Sequence, residues 1–199
     1  MRRHKITFLL CGLIAGLTSV TLGTLSLEFL AYGVGPLFFV AVVAGIAITG
    51  VWRQFRISFW RYSAGLLLST ITYVAALVAF SAVGGFSPNL FGVQLSAHIE
   101  DFRVDVFLGL IAAGGVGASG IAVFTAILTK EWSTSLLLQL VLAGLITTVV
   151  TFLVNLPFHN YWSFLGGLLP LGNALFCWLV GAEVWRNVYS LEQLRNGKH

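Results

Sequence analysis

A chain of 199 residues with 58% hydrophobic residues, only 9% charged residues and a mean hydropathy of +0.94 has too little charge to cover a water-soluble surface. A soluble domain carries roughly 45–50% apolar and about 25% charged residues, so this composition excludes an ordinary soluble domain and makes lipid the fitting solvent. The net charge of +4 does not point to nucleic acid, because the basic residues stand in short clusters beside apolar runs and no soluble stretch is long enough to form a binding face.

Six runs reach the ~20 apolar residues that cross a ~30 Å hydrocarbon core. They predict an all-α integral membrane protein, a bundle of six transmembrane helices forming one polytopic domain over residues 1–199. Strands fit poorly, because the runs lack the polar–apolar alternation of a membrane barrel. The first span covers residues 6–25. Its basic start resembles a secretory signal, but Thr21-Leu22-Gly23 is a poor cleavage site and Leu10 before Cys11 is unlike a lipoprotein signal. A retained span is therefore expected. The second span covers 29–52 after a connection of three residues, Ser26–Glu28, and the third covers 62–83. A long outer loop, 84–105, begins as a turn at Gly84-Gly85-Phe86-Ser87-Pro88-Asn89. The fourth, fifth and sixth spans cover 106–128, 133–156 and 161–184, joined by short connections that imply antiparallel hairpins, and a short tail follows at 185–199.

Orientation follows from lysine and arginine. Arg2, Arg3, Lys5, Arg53, Arg56, Arg61, Lys130, Arg186, Arg195 and Lys198 fall on one side, and Arg103 alone falls on the other. Positive charge stays inside, so both termini are expected in the cytoplasm, in a bacterial-type cytoplasmic (inner) membrane. Trp52, Trp60, Trp132 and Trp185 inside, with Tyr161 and Trp162 outside, suit interfacial anchors.

Catalytic signals are missing. Cys11 and Cys177 lie within apolar runs, and no CxxC or Cys/His cluster offers a metal site. There is no HExxH, GxSxG or phosphate-binding loop, and no histidine or lysine inside a span for haem or a Schiff base. No cofactor, metal or catalytic residue is expected, and the chain does not read as an enzyme.

Polar groups within hydrocarbon are costly and invite explanation. Asn173, in Leu169-Pro170-Leu171-Gly172-Asn173, is the deepest, and the proline suggests a broken helix that turns Asn173 toward a cavity. An interhelical hydrogen bond beside a kink is the alternative, and Gln139 in the fifth span has the same two readings. At the outer rim Glu28, Asn155 and His159, with His98-Ile99-Glu100-Asp101, are candidates for a polar-ligand site or are simply solvated loop residues. Small residues at four-residue spacing, Gly12 and Gly16 in the first span and Gly109, Ala113 and Gly117 in the fourth, allow close helix approach. They serve packing within the bundle, a substrate path, or docking of a partner subunit or a second copy.

These features favour small-molecule transport or a substrate-capturing transporter subunit; a non-catalytic membrane scaffold or assembly partner is the alternative. A cavity reaching Asn173 separates the two. In size and six-helix layout, and in Gly35-Pro36 leading to Gly45 and Gly50 and Gly12-x-x-x-Gly16, the chain resembles the substrate-binding subunits of energy-coupling-factor vitamin transporters. The resemblance implies substrate capture and an ATPase pair as partner, and it brings no ligand-pocket signature.

Overall fold

The computed structural model describes residues 2–25, 34–51, 59–83, 104–155 and 161–195. They form six α-helices: α1 (Arg2–Leu25), α2 (Val34–Ile48), α3 (Phe59–Val83), α4 (Val104–Thr129), α5 (Thr134–Asn155) and α6 (Tyr161–Arg195). Three are long and apolar enough to cross a membrane, over His4–Leu22, Phe59–Phe80 and Phe107–Thr129, and Val34–Ile48 and Thr134–Val150 are shorter apolar helices. Helix is the form these runs permit, since each satisfies its own backbone hydrogen bonds without water.

The spans expected at 62–83, 106–128 and 133–156 agree with α3, α4 and α5 to within three residues at every end. Residues 29–33 and 52 of the second span, and 84–103 of the long loop, lie outside the described residues. The sixth helix differs from expectation twice. It runs on to Arg195, so most of the expected tail is helical, and Val188 beyond the expected end is buried. It is also continuous through Pro170, where a broken helix was one of two readings. A proline removes one N–H and crowds one carbonyl; here α1 lies tightly against Pro170 at Gly16. Pro36 is the third residue of α2, where its missing N–H has no helical partner to lose.

Neighbours in sequence are neighbours in space, and α6 returns to α1, so the helices close into a ring. Neighbours around the ring pack antiparallel. Phe8 near the start of α1 meets Gly45 near the end of α2 and Gly181 of α6, and Gly65 early in α3 meets Phe39 of α2 and Phe124 of α4. Tight ends make this possible. Gly50, at φ 73, and Lys130, at φ 63, take the left-handed conformation that terminates α2 and α4, and the Ser133 hydroxyl accepts the Leu136 N–H at 3.1 Å to start α5. Lys5, Arg61, Lys130 and Arg186 consequently gather toward one end of the ring, the basic end.

The half of the bundle toward that end is solid. Phe8, Val42, Ile46, Phe124, Leu128, Val180 and Val184 form one buried cluster, and Ala118, Ala122, Leu136, Leu140 and Leu179 form a second between α4, α5 and α6. An aromatic layer roofs the first, with Phe39 edge-on to Phe124 at 5.8 Å and to Tyr62 at 6.4 Å. The seam between α1 and α6 is closest of all. A methyl group on Gly12 would lie 2.7 Å from Cys177 Cβ, and one on Gly16 would lie 2.7 Å from the Leu169 carbonyl oxygen. At the basic end His4 stacks on Trp185 at 3.9 Å and Lys5 Nζ stands 5.5 Å from the Trp178 ring, pinning the first turn of α1 to α6.

Phe8 is 1% exposed and fills the space that Gly45 and Gly181 leave open. Phe8→Ala is expected to lower stability by about 3–5 kcal/mol, measured by reversible unfolding in mixed micelles. A loss below ~1 kcal/mol would mean that α1 does not depend on this wedge.

Outward, the helices are apolar as well. Ile6, Leu10, Ile14 and Leu17 form an exposed stripe on α1, Leu67, Ile71 and Val78 one on α3, and Leu138, Leu142, Ile146 and Leu153 one on α5.

Candidate functional site

Hydroxyl groups inside the bundle are mostly spent on their own helices. Ser19 donates to the Ala15 carbonyl at 2.8 Å, Thr125 to Ile121 at 2.8 Å, Thr129 to Thr125 at 2.9 Å and Thr147 to Ala143 at 2.7 Å. This is how serine and threonine are accommodated where water is absent. Ser69 instead crosses between helices and donates to the Gly35 carbonyl at 2.6 Å, locking α3 to α2.

Against that background Asn173 stands out. It is 8% exposed, and its Nδ2 has no hydrogen-bond partner. A buried, unpaired amide forfeits about 1–3 kcal/mol. It borders a cavity of about 190 Å³ enclosed by α2 through α6, at mid-depth and toward the end away from the basic residues. From α2 come Val34, Gly35 and Phe38; from α3, Ser69, Thr72, Tyr73 and Ala76. The α4 wall is Leu110, Ala113, Gly114, Gly117 and Gly120, running down to Ile121 and Phe124. Gly144, Thr147 and Thr148 of α5 and Leu169, Gly172, Asn173 and Phe176 of α6 close the ring. The lining is overwhelmingly apolar, and among the described residues no Asp, Glu, Lys, Arg or His takes part.

Glycines of this protein fall into two kinds. Those at the α1 seam, together with Gly35, Gly65 and Gly120, are filled by a neighbour. At Gly114, Gly115 and Gly117 a methyl group would meet nothing within 4 Å. At Gly172 it would make ordinary contact with Thr147, 3.8 Å away, and at Gly144 with the Phe176 ring at 3.6 Å. Packing alone does not demand glycine at 114 and 117, where the bare backbone leaves the cavity open.

The candidate residues read from sequence separate accordingly. Asn173 borders the cavity, as do Ala113 and Gly117. Gly12 and Gly16 are buried inside the chain, against α6, and Gly109 is buried within α4. Gln139 is absent from the lining; it is exposed on α5 and its Nε2 donates to Ser135 Oγ at 3.4 Å. Glu28, His159 and residues 98–101 lie outside the described residues, and Asn155 ends α5 with its side chain outside them. Sequence reasoning missed Thr72, Tyr73, Thr147 and Thr148. The adjacent Thr147-Thr148 pair, in mid-helix opposite the α4 glycines, was the available signal.

The basic end holds a separate polar group. Glu183, buried on α6, pairs with Arg186 at 2.5 Å, and Arg186 reaches Ser133 Oγ at 3.5 Å. Asn187 nearby has a second buried Nδ2 without a partner. Among the described residues no three His, Cys, Asp or Glu side chains come together to hold a metal. No known protein family, curated protein or solved structure matches this chain, which leaves the cavity's own chemistry as the guide to function.

Proposed function

We propose that this chain is a multi-pass membrane protein of six spans, and that it captures or transports a small molecule through the cavity at Asn173. The carrying observation is that cavity, predominantly apolar yet bordered by Asn173, whose amide has an unspent donor. A space of about 190 Å³ left unfilled by side chains forgoes packing contacts along its walls. Alanine at 114 and 117 would recover some of them without a clash. Space kept at that expense argues for an occupant.

The apolar stripes on α1, α3 and α5 support the membrane setting, since a water-facing helix would carry polar residues there. The gathering of Lys5, Arg61, Lys130 and Arg186 at one end supports a cytoplasmic position for that end and for both termini, as in a bacterial inner membrane. The solid half of the bundle then faces the cytoplasm and the cavity lies toward the outer side, the arrangement of an outward-facing receptor. The scaffold alternative would draw on Gly12, Gly16, Gly109, Ala113 and Gly117; α6 already occupies the first two, and Ala113 and Gly117 border the cavity.

Membrane vesicles carrying the wild type or Gly117→Leu, incubated with a cell extract and compared by mass spectrometry, test this reading. Wild-type vesicles are expected to retain at least one compound that the variant does not. Identical profiles would remove the case for capture and transport.

A further inference from the structure

On the reading of the cavity as a ligand site, on which this step rests, we infer that its occupant is an uncharged single-ring compound with a hydrogen-bond acceptor such as a carbonyl, held by the Asn173 amide. The described walls disfavour charge. Among the described residues no ionised side chain lines the cavity to pair with a cation or an anion, and an unpaired ion in apolar surroundings reverts to its neutral form or stays in water.

Size limits the ligand further. The cavity, about 190 Å³, is somewhat larger than the ~150 Å³ apolar cavity that takes benzene. One ring with a short substituent fits within it. Shape agrees, because Phe38, Phe124 and Phe176 bring aromatic carbon from three helices, and bare backbone at Gly114 and Gly117 leaves room for a flat face.

Polarity selects the substituent. The Ser69 and Thr147 hydroxyls already donate to the Gly35 and Ala143 carbonyls. Asn173 Nδ2 donates to nothing among the described residues. A ligand acceptor would satisfy that amide; a hydrocarbon of the same shape would leave it unpaired, and sites built this way reject the analogue lacking the polar atom. The amide torsion is broad and soft, so Asn173 can turn toward the ligand with the backbone of α6 unmoved.

Acetophenone, ethylbenzene and benzoate are suitable probes, titrated into the purified full-length protein in micelles and read by saturation-transfer NMR. Gly117→Leu serves as the control for partition into the micelle. Wild type is expected to bind acetophenone about tenfold more tightly than ethylbenzene, a ratio equal to one hydrogen bond, and to bind benzoate no better than the control does. Asn173→Leu is expected to keep ethylbenzene binding and lose the preference for acetophenone. Equal binding of the two neutral probes by wild type, a preference that survives Asn173→Leu, or benzoate as the tightest probe would overturn the inference while leaving a ligand cavity in place. Failure of all three to bind above the control would overturn the cavity reading itself.

Discussion

Gly12→Ala and Gly16→Ala are each expected to destabilise the protein by about 3 kcal/mol, whereas Gly114→Ala is expected to be neutral or stabilising. The chemical change is the same in all three, and alanine is the better helix former by about 1 kcal/mol. What differs is the neighbour. A methyl group at 12 would sit 2.8 Å from the Asn173 carbonyl carbon, and one at 16 would sit 2.9 Å from the Pro170 nitrogen. Those are backbone atoms of a helix that cannot rotate aside, so α1 and α6 must separate along the seam. Separation also withdraws the packing that steadies α6 at Pro170 and the Phe8 wedge one turn below. At Gly114 the same methyl group meets open space. Thermal unfolding in a single detergent checks the sign directly, with a drop on the order of 10 °C for the first two variants. An unchanged midpoint for Gly12→Ala and Gly16→Ala would show that the seam is not close-packed.

The second large effect is a separation of stability from function at Gly117. Leucine there has room, since nothing stands within 4 Å of the first added carbon and the cavity behind it measures about 190 Å³. Filling part of that space recovers packing contacts, and replacing glycine adds about 1 kcal/mol of helix propensity. Gly117→Leu should therefore raise the unfolding midpoint by several degrees while abolishing capture of the cavity's ligand. A site that gains stability when filled and loses activity at the same step is behaving as a binding cavity. A variant that unfolds earlier than wild type would mean that the space is already occupied by protein.

The helices were legible because apolar length is a one-dimensional signal. Runs such as Thr134–Asn155 need no partner to become helical in lipid, and their limits follow from Lys130, Ser133 and the short connection between them. Asn173 and the α4 glycines were each visible as oddities in an apolar chain, and the fold brings them to one cavity. Gly12-x-x-x-Gly16 and Ala113-x-x-x-Gly117 look alike in sequence; only the facing helix decides that the first pair is filled and that Gly117 is open. Gln139 lies off the cavity for a reason of phase. It follows Leu138 on the exposed side of α5, while Leu140, Gly144, Thr147 and Thr148 turn inward. The threonines gave little signal because a hydroxyl that can return its proton to its own helix costs an apolar run almost nothing. The continuation of α6 beyond residue 184 was hidden by its charges, since Glu183 and Arg186 resemble the end of a span but pair with each other on one helix face.

Native mass spectrometry of the full chain released from its own membranes tests the ligand cavity most directly. Wild type is expected to carry a bound small molecule in one-to-one ratio, and Gly117→Leu, folded and at least as stable, is expected to carry none. A wild-type spectrum showing only the bare chain, or the same adduct persisting in Gly117→Leu, would contradict the assignment of the cavity at Asn173 as a binding site.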